Sequence, residues 1–182
     1  MARKESSQKR RADVTLERLR TFGDPTLRQS THVVTVFDSR LKKLADVMLA
    51  VMEREEGVGL AAPQIGVLSR VMVWRDPGED ETEYVFVNPE IVFRSEECNT
   101  AGEGCLSVPG CTVEVSRNDE VVVNAQDLEG RAFSMEASGL VARIMQHEID
   151  HLDGRLMLDR ATPEERRRVL TELRDRSLEM DA

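Results

Sequence analysis

Aromatic side chains are scarce in this 182-residue chain, where one Trp, one Tyr and five Phe make up 4% of the residues. A hydrophobic core must therefore rest on Val, Leu, Ile, Ala and Met. Cysteine is almost as rare. Cys98, Cys105 and Cys111 are too few, and odd in number, for a disulfide framework, which fits a reducing cytoplasm. No apolar run approaches about 18 residues, so no membrane-spanning helix is expected. Excess positive charge is missing too: the net charge of −9 argues against DNA or general nucleic-acid affinity and leaves room only for local basic patches. The opening MARKESSQKRRADVTLERLR lacks the apolar stretch of a secretory signal. Its Arg, Lys and Ser would suit an organelle transit peptide, but Glu5, Asp13 and Glu17 weigh against one, and a bacterial cytoplasm is the simpler location.

What is present describes one folded domain with a sizeable core, since hydrophobic residues make up 40% and charged residues 32%. Residues 1–17 read as a basic, mobile extension, 18–161 as the domain proper, and 162–182 as a C-terminal helix. SRLKKLADVMLAVMEREEG carries Leu41, Leu44, Ala45, Met48, Val51 and Met52 at helical spacing and stops at Gly57. VMVW, YVFVNPEIVF, TVEV and EVVVNAQ are β-rich, and the last pairs with RAFSMEA across Leu128, Glu129 and Gly130. SGLVARIMQHEIDHLDG is a helix with Ser138 as N-cap and Gly154 as stop. The final helix starts with Thr162 as cap, Pro163 next and Glu165 closing a capping box. Its apolar stripe runs through Val169, Leu170, Leu173 and Met180, with Leu178 off it. The order gives an α+β fold, in which small mixed or antiparallel sheets pack around a central helix and a further helix closes the chain.

QHEIDHLDG, residues 146–154, contains the pattern H-E-x-x-H. A helix turns about 100° per residue, so His147 and His151 leave one face together and can share a metal ion, with Glu148 beside them to handle protons. A catalytic metal usually takes three protein ligands and keeps one position open. His32, the remaining histidine, lies in a polar, turn-like stretch that suits the surface. The longer H-E-x-x-H-x-x-G-x-x-H pattern fails at Met157, which cannot replace an imidazole. Glu164, Glu165 and Glu172 lie at a workable distance downstream but more simply serve their own helix dipole. Cys105, in AGEGCLSVPGC, could bind as a thiolate, with Gly104 allowing close approach of another backbone, or could be a small buried side chain.

A further segment, GVGLAAPQIG (57–66), follows the first helix. Gly57 and Gly59 permit unusual dihedrals and expose backbone groups that could grip a peptide. Gln64, held after two alanines and a proline, could donate to a developing oxyanion, although a tight helix-to-strand connection would use the same small residues.

GVGLAAPQ, EGCLS and QHEIDH, in that order, together resemble the three signature motifs of the peptide deformylase family, and the likeness runs over residues 19–161, including RTFGDPTLR. The resemblance implies a metal-dependent hydrolase that removes the formyl group from N-formyl-methionyl peptides and releases formate. It implies Cys105, His147 and His151 as metal ligands, Glu148 as acid and base, and Gln64 with the Leu106 N–H as oxyanion donors. It also implies pairing of Val58 and Gly59 with the substrate backbone. Fe²⁺ is the metal implied, with Zn²⁺, Ni²⁺ or Co²⁺ able to replace it, whereas spacing alone suggests zinc. On the H-E-x-x-H helix, Leu140 and Ile144 fall where they could wall a methionine pocket, or be ordinary core, with the stem of Arg143 at the rim. Asp150 could support the metal site or form a surface ion pair. Cys98 and Cys111 match no ligand position and read as structural. The family's ribosome docking suggests a role for the C-terminal helix with Arg166, Arg167 and Arg168, or for the basic tail, and the chain is expected to be a monomer. A zinc endopeptidase, and a metal-containing peptide-binding module without activity, are the competing readings.

Overall fold

The computed structural model describes residues 18–78 and 81–180, so the N-terminal extension lies outside the described residues. After a short 3-10 helix at Pro25–Arg28, helix α1 spans Ser39–Arg54. Asp38 caps it, its side chain accepting from the N–H groups of Arg40 and Leu41. The helix ends with Glu56 in the left-handed conformation at φ 55°, not with Gly57 as the sequence suggests. The Gly57 N–H closes the end by reaching the Met52 carbonyl at 2.9 Å. A Cβ on Gly57 would lie 2.8 Å from Cδ1 of Leu106, so a side chain there would push that leucine aside.

Strands β1 (Gly59–Ala61), β2 (Val71–Arg75), β3 (Glu83–Arg94), β6 (Glu120–Gln126) and β7 (Ala132–Ser138) form an antiparallel sheet in the order β1-β2-β3-β6-β7. Strands β4 (Cys98–Gly104) and β5 (Thr112–Asn118) pair separately, also antiparallel. The run YVFVNPEIVF is one strand with a break, because Asn88 adopts φ 53° and Pro89 has no N–H to donate, so the register with β6 shifts there. The Asn88 side chain uses the break to hold the backbone of Val34 and the amide of Gln126. The hairpin between β6 and β7 forms as its alternation requires.

Helix α2 (Gly139–Leu152) lies between the sheets and touches strands of both. Ser138 occupies its N-cap position without making a side-chain cap bond, and Gly154 follows its end at φ 73°. Helix α3 (Pro163–Met180) packs over β5 through Val169. Thr162 Oγ1 accepts from the Glu165 N–H, but the Glu165 side chain binds Arg168, so only half of the expected capping box forms. The core is aliphatic apart from one aromatic group, in which Trp74 stacks on Tyr84 with centroids 4.3 Å apart and meets Phe86 edge-on. No helix among the described residues is long and apolar enough to cross a membrane.

Candidate metal centre and its cleft

Side-chain direction on α2 builds half of the site. His147 and His151, four residues apart, bring their Nε2 atoms to 3.2 Å of each other. Cys105, just past the end of β4, places Sγ 3.3 Å from His151 Nε2, and the three donor atoms lie within 4.8 Å of one another. A tetrahedral ion with bonds of about 2.0 Å to nitrogen and about 2.3 Å to sulfur needs donor spacings of roughly this size. Burial alone would raise the Cys105 thiol, but the imidazoles of His151 and His147 outweigh it and hold it well below the usual thiol range, the direction that favours a metal-binding thiolate. The Nδ1 of His151 is buried without a partner, whereas His147 Nδ1 donates to Glu103 Oε2 at 2.9 Å and presents Nε2 inward. The three residues fit a divalent metal. His32 lies elsewhere, its backbone bridging to Ser69 and Arg70.

Glu148 is buried, its Oε2 has no partner, and burial raises its carboxyl above the ordinary range. A Cβ on Gly59 would fall 2.9 Å from the Glu148 Cδ and closer still to Oε1. Gly59 therefore serves the site by making room, and its backbone does not need the left-handed region. The Gln64 Oε1 accepts from the Ala61 N–H at 2.8 Å, which fixes the orientation of the amide. Its Nε2 then faces Cys105 Sγ at 3.8 Å and Ser107 Oγ at 3.2 Å.

Gln64, Cys105, His147 and Glu148 line a cleft of about 360 Å³ together with Val58, Gly59, Leu106, Leu140, Arg143 and Ile144. Leu140 is exposed at its mouth, and Ile144 is buried. Along the edge strand β1 the Val58 carbonyl accepts from the Arg75 N–H and faces into the sheet. By strand alternation, the polar groups of Gly59 face the open edge. Of the two residues expected to pair with a peptide, Gly59 is the one so turned.

Several expectations need correction. The Arg143 stem lines the cleft and its head is buried behind it, where Nη1 donates to Glu103 Oε1 and the Val115 carbonyl, and Nη2 to the carbonyl and Oδ1 of Asn99. Asp150 forms neither a surface ion pair nor a direct contact with the ligands, but a buried pair with Arg117 and a second pair with Arg160. A Cβ on Gly104 would meet nothing within 4 Å, so no backbone approach demands glycine there. Cys111 belongs to the core, but Cys98 is exposed. Arg166 and Arg167 form exposed pairs with Asp159 and Glu164, and Arg168 is held by Glu165, Glu172 and the Thr112 carbonyl.

Glu103 is the residue that sequence reasoning missed. Its carboxylate accepts from Arg117 Nε and Nη2 and Arg143 Nη1 as well as His147. Burial alone would raise this carboxyl, but the bonds from His147 and Arg117 outweigh it and hold it at about 2. The signal was alternation: TVEVSRN puts Arg117 on the inward face after Val113 and Val115, where an arginine requires a buried acid.

The family profile described as polypeptide deformylase matches residues 16–167. A peptide deformylase of Natranaerobius thermophilus is 49% identical over 146 residues, covering 80% of this chain and 92% of its own. A chloroplastic or mitochondrial peptide deformylase 1B of Arabidopsis thaliana is 44% identical over 143 residues, covering 78% of this chain and 52% of its own. The crystal structure of the Thermotoga maritima peptide deformylase superposes with a TM-score of 0.79 at 42% identity, over 82% of this chain and 100% of that one. With motifs, fold and centre in agreement, the chain belongs to the peptide deformylase family, enzymes that remove the N-formyl group from nascent polypeptides.

Proposed function

We propose that the enzyme performs this hydrolysis with one divalent metal held by Cys105, His147 and His151, Fe²⁺ in its native form and Zn²⁺, Ni²⁺ or Co²⁺ in substituted preparations. The observation that carries the assignment is the convergence of a thiolate and two imidazole nitrogens beside the unpartnered carboxylate oxygen of Glu148. A metal held there would supply Lewis acidity toward the formyl carbonyl and toward water. Glu148 Oε2 accepts the proton of the attacking water and returns it to the leaving amine, for which its raised affinity suits it. Gln64 Nε2 and the Leu106 N–H donate to the oxygen as charge builds on it. Gly59 offers its outward backbone groups to an N-formyl-methionyl peptide laid along the edge of β1. Leu140, Ile144 and the Arg143 stem wall the cleft that receives the methionine side chain.

Residues 18–161 form the catalytic unit in this reading, acting as a monomer in a bacterial cytoplasm. The C-terminal helix, or the basic extension outside the described residues, would provide ribosome contact. Anaerobic loading with Fe²⁺, followed by assay of formate release from a formyl-Met tripeptide beside Glu148→Ala, tests the mechanism. Formate from the wild type and almost none from the variant supports it. Stoichiometric metal without formate from either protein refutes it.

A further inference from the structure

Arg143 lies one helical turn before His147 on α2, and both side chains end on the same carboxylate. Its Nη1 donates to Glu103 Oε1 at 2.8 Å, and His147 Nδ1 donates to Glu103 Oε2 at 2.9 Å. Arg117 approaches Glu103 as a two-pronged fork, at 2.9 and 3.0 Å. Two parallel bonds align the carboxylate with the guanidinium of Arg117, and the Arg143 bond, from a different element, adds an anchor on Oε1, the oxygen that does not meet His147. Arg143 is itself held firmly, with bonds to the Val115 carbonyl and to the carbonyl and side chain of Asn99, and is 9% exposed. It thereby ties α2 to β4 and β5, while its stem lines the cleft.

We propose that Arg143 is a positioning residue for the metal ligand His147, acting through Glu103, while its stem walls the substrate cleft. The proposal rests on the ligand set given above. A lysine cannot replace this guanidinium, because one ammonium cannot reach Glu103, Val115 and Asn99 together.

The test uses the full chain, freed of metal and titrated with Co²⁺ against a competing chelator, with visible absorption and peptide turnover measured on the same samples. Arg143→Met keeps an unbranched stem and removes the donors. It is expected to hold Co²⁺ about tenfold less tightly, the lower end for loss of an outer-shell partner. Its Co²⁺ bands should shift, and kcat should fall by a larger factor than KM rises. Arg143→Lys should fall between the two proteins in Co²⁺ retention and in spectrum. Wild-type Co²⁺ affinity and bands in folded Arg143→Met would overturn the proposal and leave Arg143 as a structural brace. If Arg143→Met shows no melting transition, Arg143→Lys decides, and wild-type affinity and bands there would overturn it equally. Failure of the wild type to bind one Co²⁺ per chain would instead refute the ligand set, and the proposal with it.

Discussion

At the scale of single residues, the site is governed by absent atoms as much as by present ones. Gly59 has no side chain because Glu148 occupies that space, with Cδ 2.9 Å from where a Cβ would stand. Gly59→Ala should therefore displace the carboxylate, and a displacement of about 1 Å from productive geometry costs on the order of 10²-fold in rate. The cause can be checked by thermal melting of a double mutant. Any stability lost in Gly59→Ala should be recovered when Glu148→Ala is added, because the collision then has no second party. An unchanged kcat in Gly59→Ala would refute the steric account. The sequence revealed that this glycine matters but suggested the wrong reason, since letters alone cannot separate a need for unusual dihedrals from a need for room. Gln64 is a similar case. Its amide nitrogen is legible as a candidate donor, and the bond from the nearby Ala61 N–H orients it locally, but the arrival of Cys105 opposite Nε2 is a tertiary fact.

At the scale of elements, legibility followed periodicity. Helix α1, helix α2 and the β6–β7 hairpin carry strong repeats and formed where those repeats placed them. Strands β1 and β4 carry no comparable repeat. The sequence of β4, CNTAGEG, is rich in residues that disfavour strands, and it extends because β5 pairs with it along its length. Glu103 sits on β4, and without an alternating pattern there the sequence does not say which face the glutamate uses. The cap of α1 provides a test of local stability apart from the chemistry. Asp38→Ala removes the acceptor for two helix N–H groups and should cost about 1 kcal/mol, lowering the melting temperature by about 2–4 °C in a chain of this size. Turnover at 25 °C should remain as in the wild type, because α1 packs in the cluster on the other side of β1 and β2. A fall in kcat with no fall in melting temperature would reverse that assignment.

At the scale of the whole molecule, the metal centre is where separately formed parts meet, since its ligands come from α2 and from the loop after β4. A metal bound only by the folded chain stabilises it by about 2.7 kcal/mol at a hundred times its dissociation constant. Chelation should therefore lower the melting temperature by roughly 5–10 °C, with differential scanning calorimetry as the check. In the metal-free chain the buried acids set the response to pH. Glu103 is held down from 4.5 to about 2, and Asp150 is lowered as well, because bonds from Arg160 and Arg117 outweigh its burial. A carboxyl depressed by folding stabilises the fold fully above its unfolded value. That contribution drains away as protons are taken up between about 4.5 and about 2. Glu103→Gln cannot take up that proton. Urea midpoints of the metal-free proteins should thus differ most near pH 7, with the variant less stable, and converge as the pH falls toward 3. Parallel curves across that range would show that the Glu103 carboxylate, despite its four donors, does not couple folding to protons.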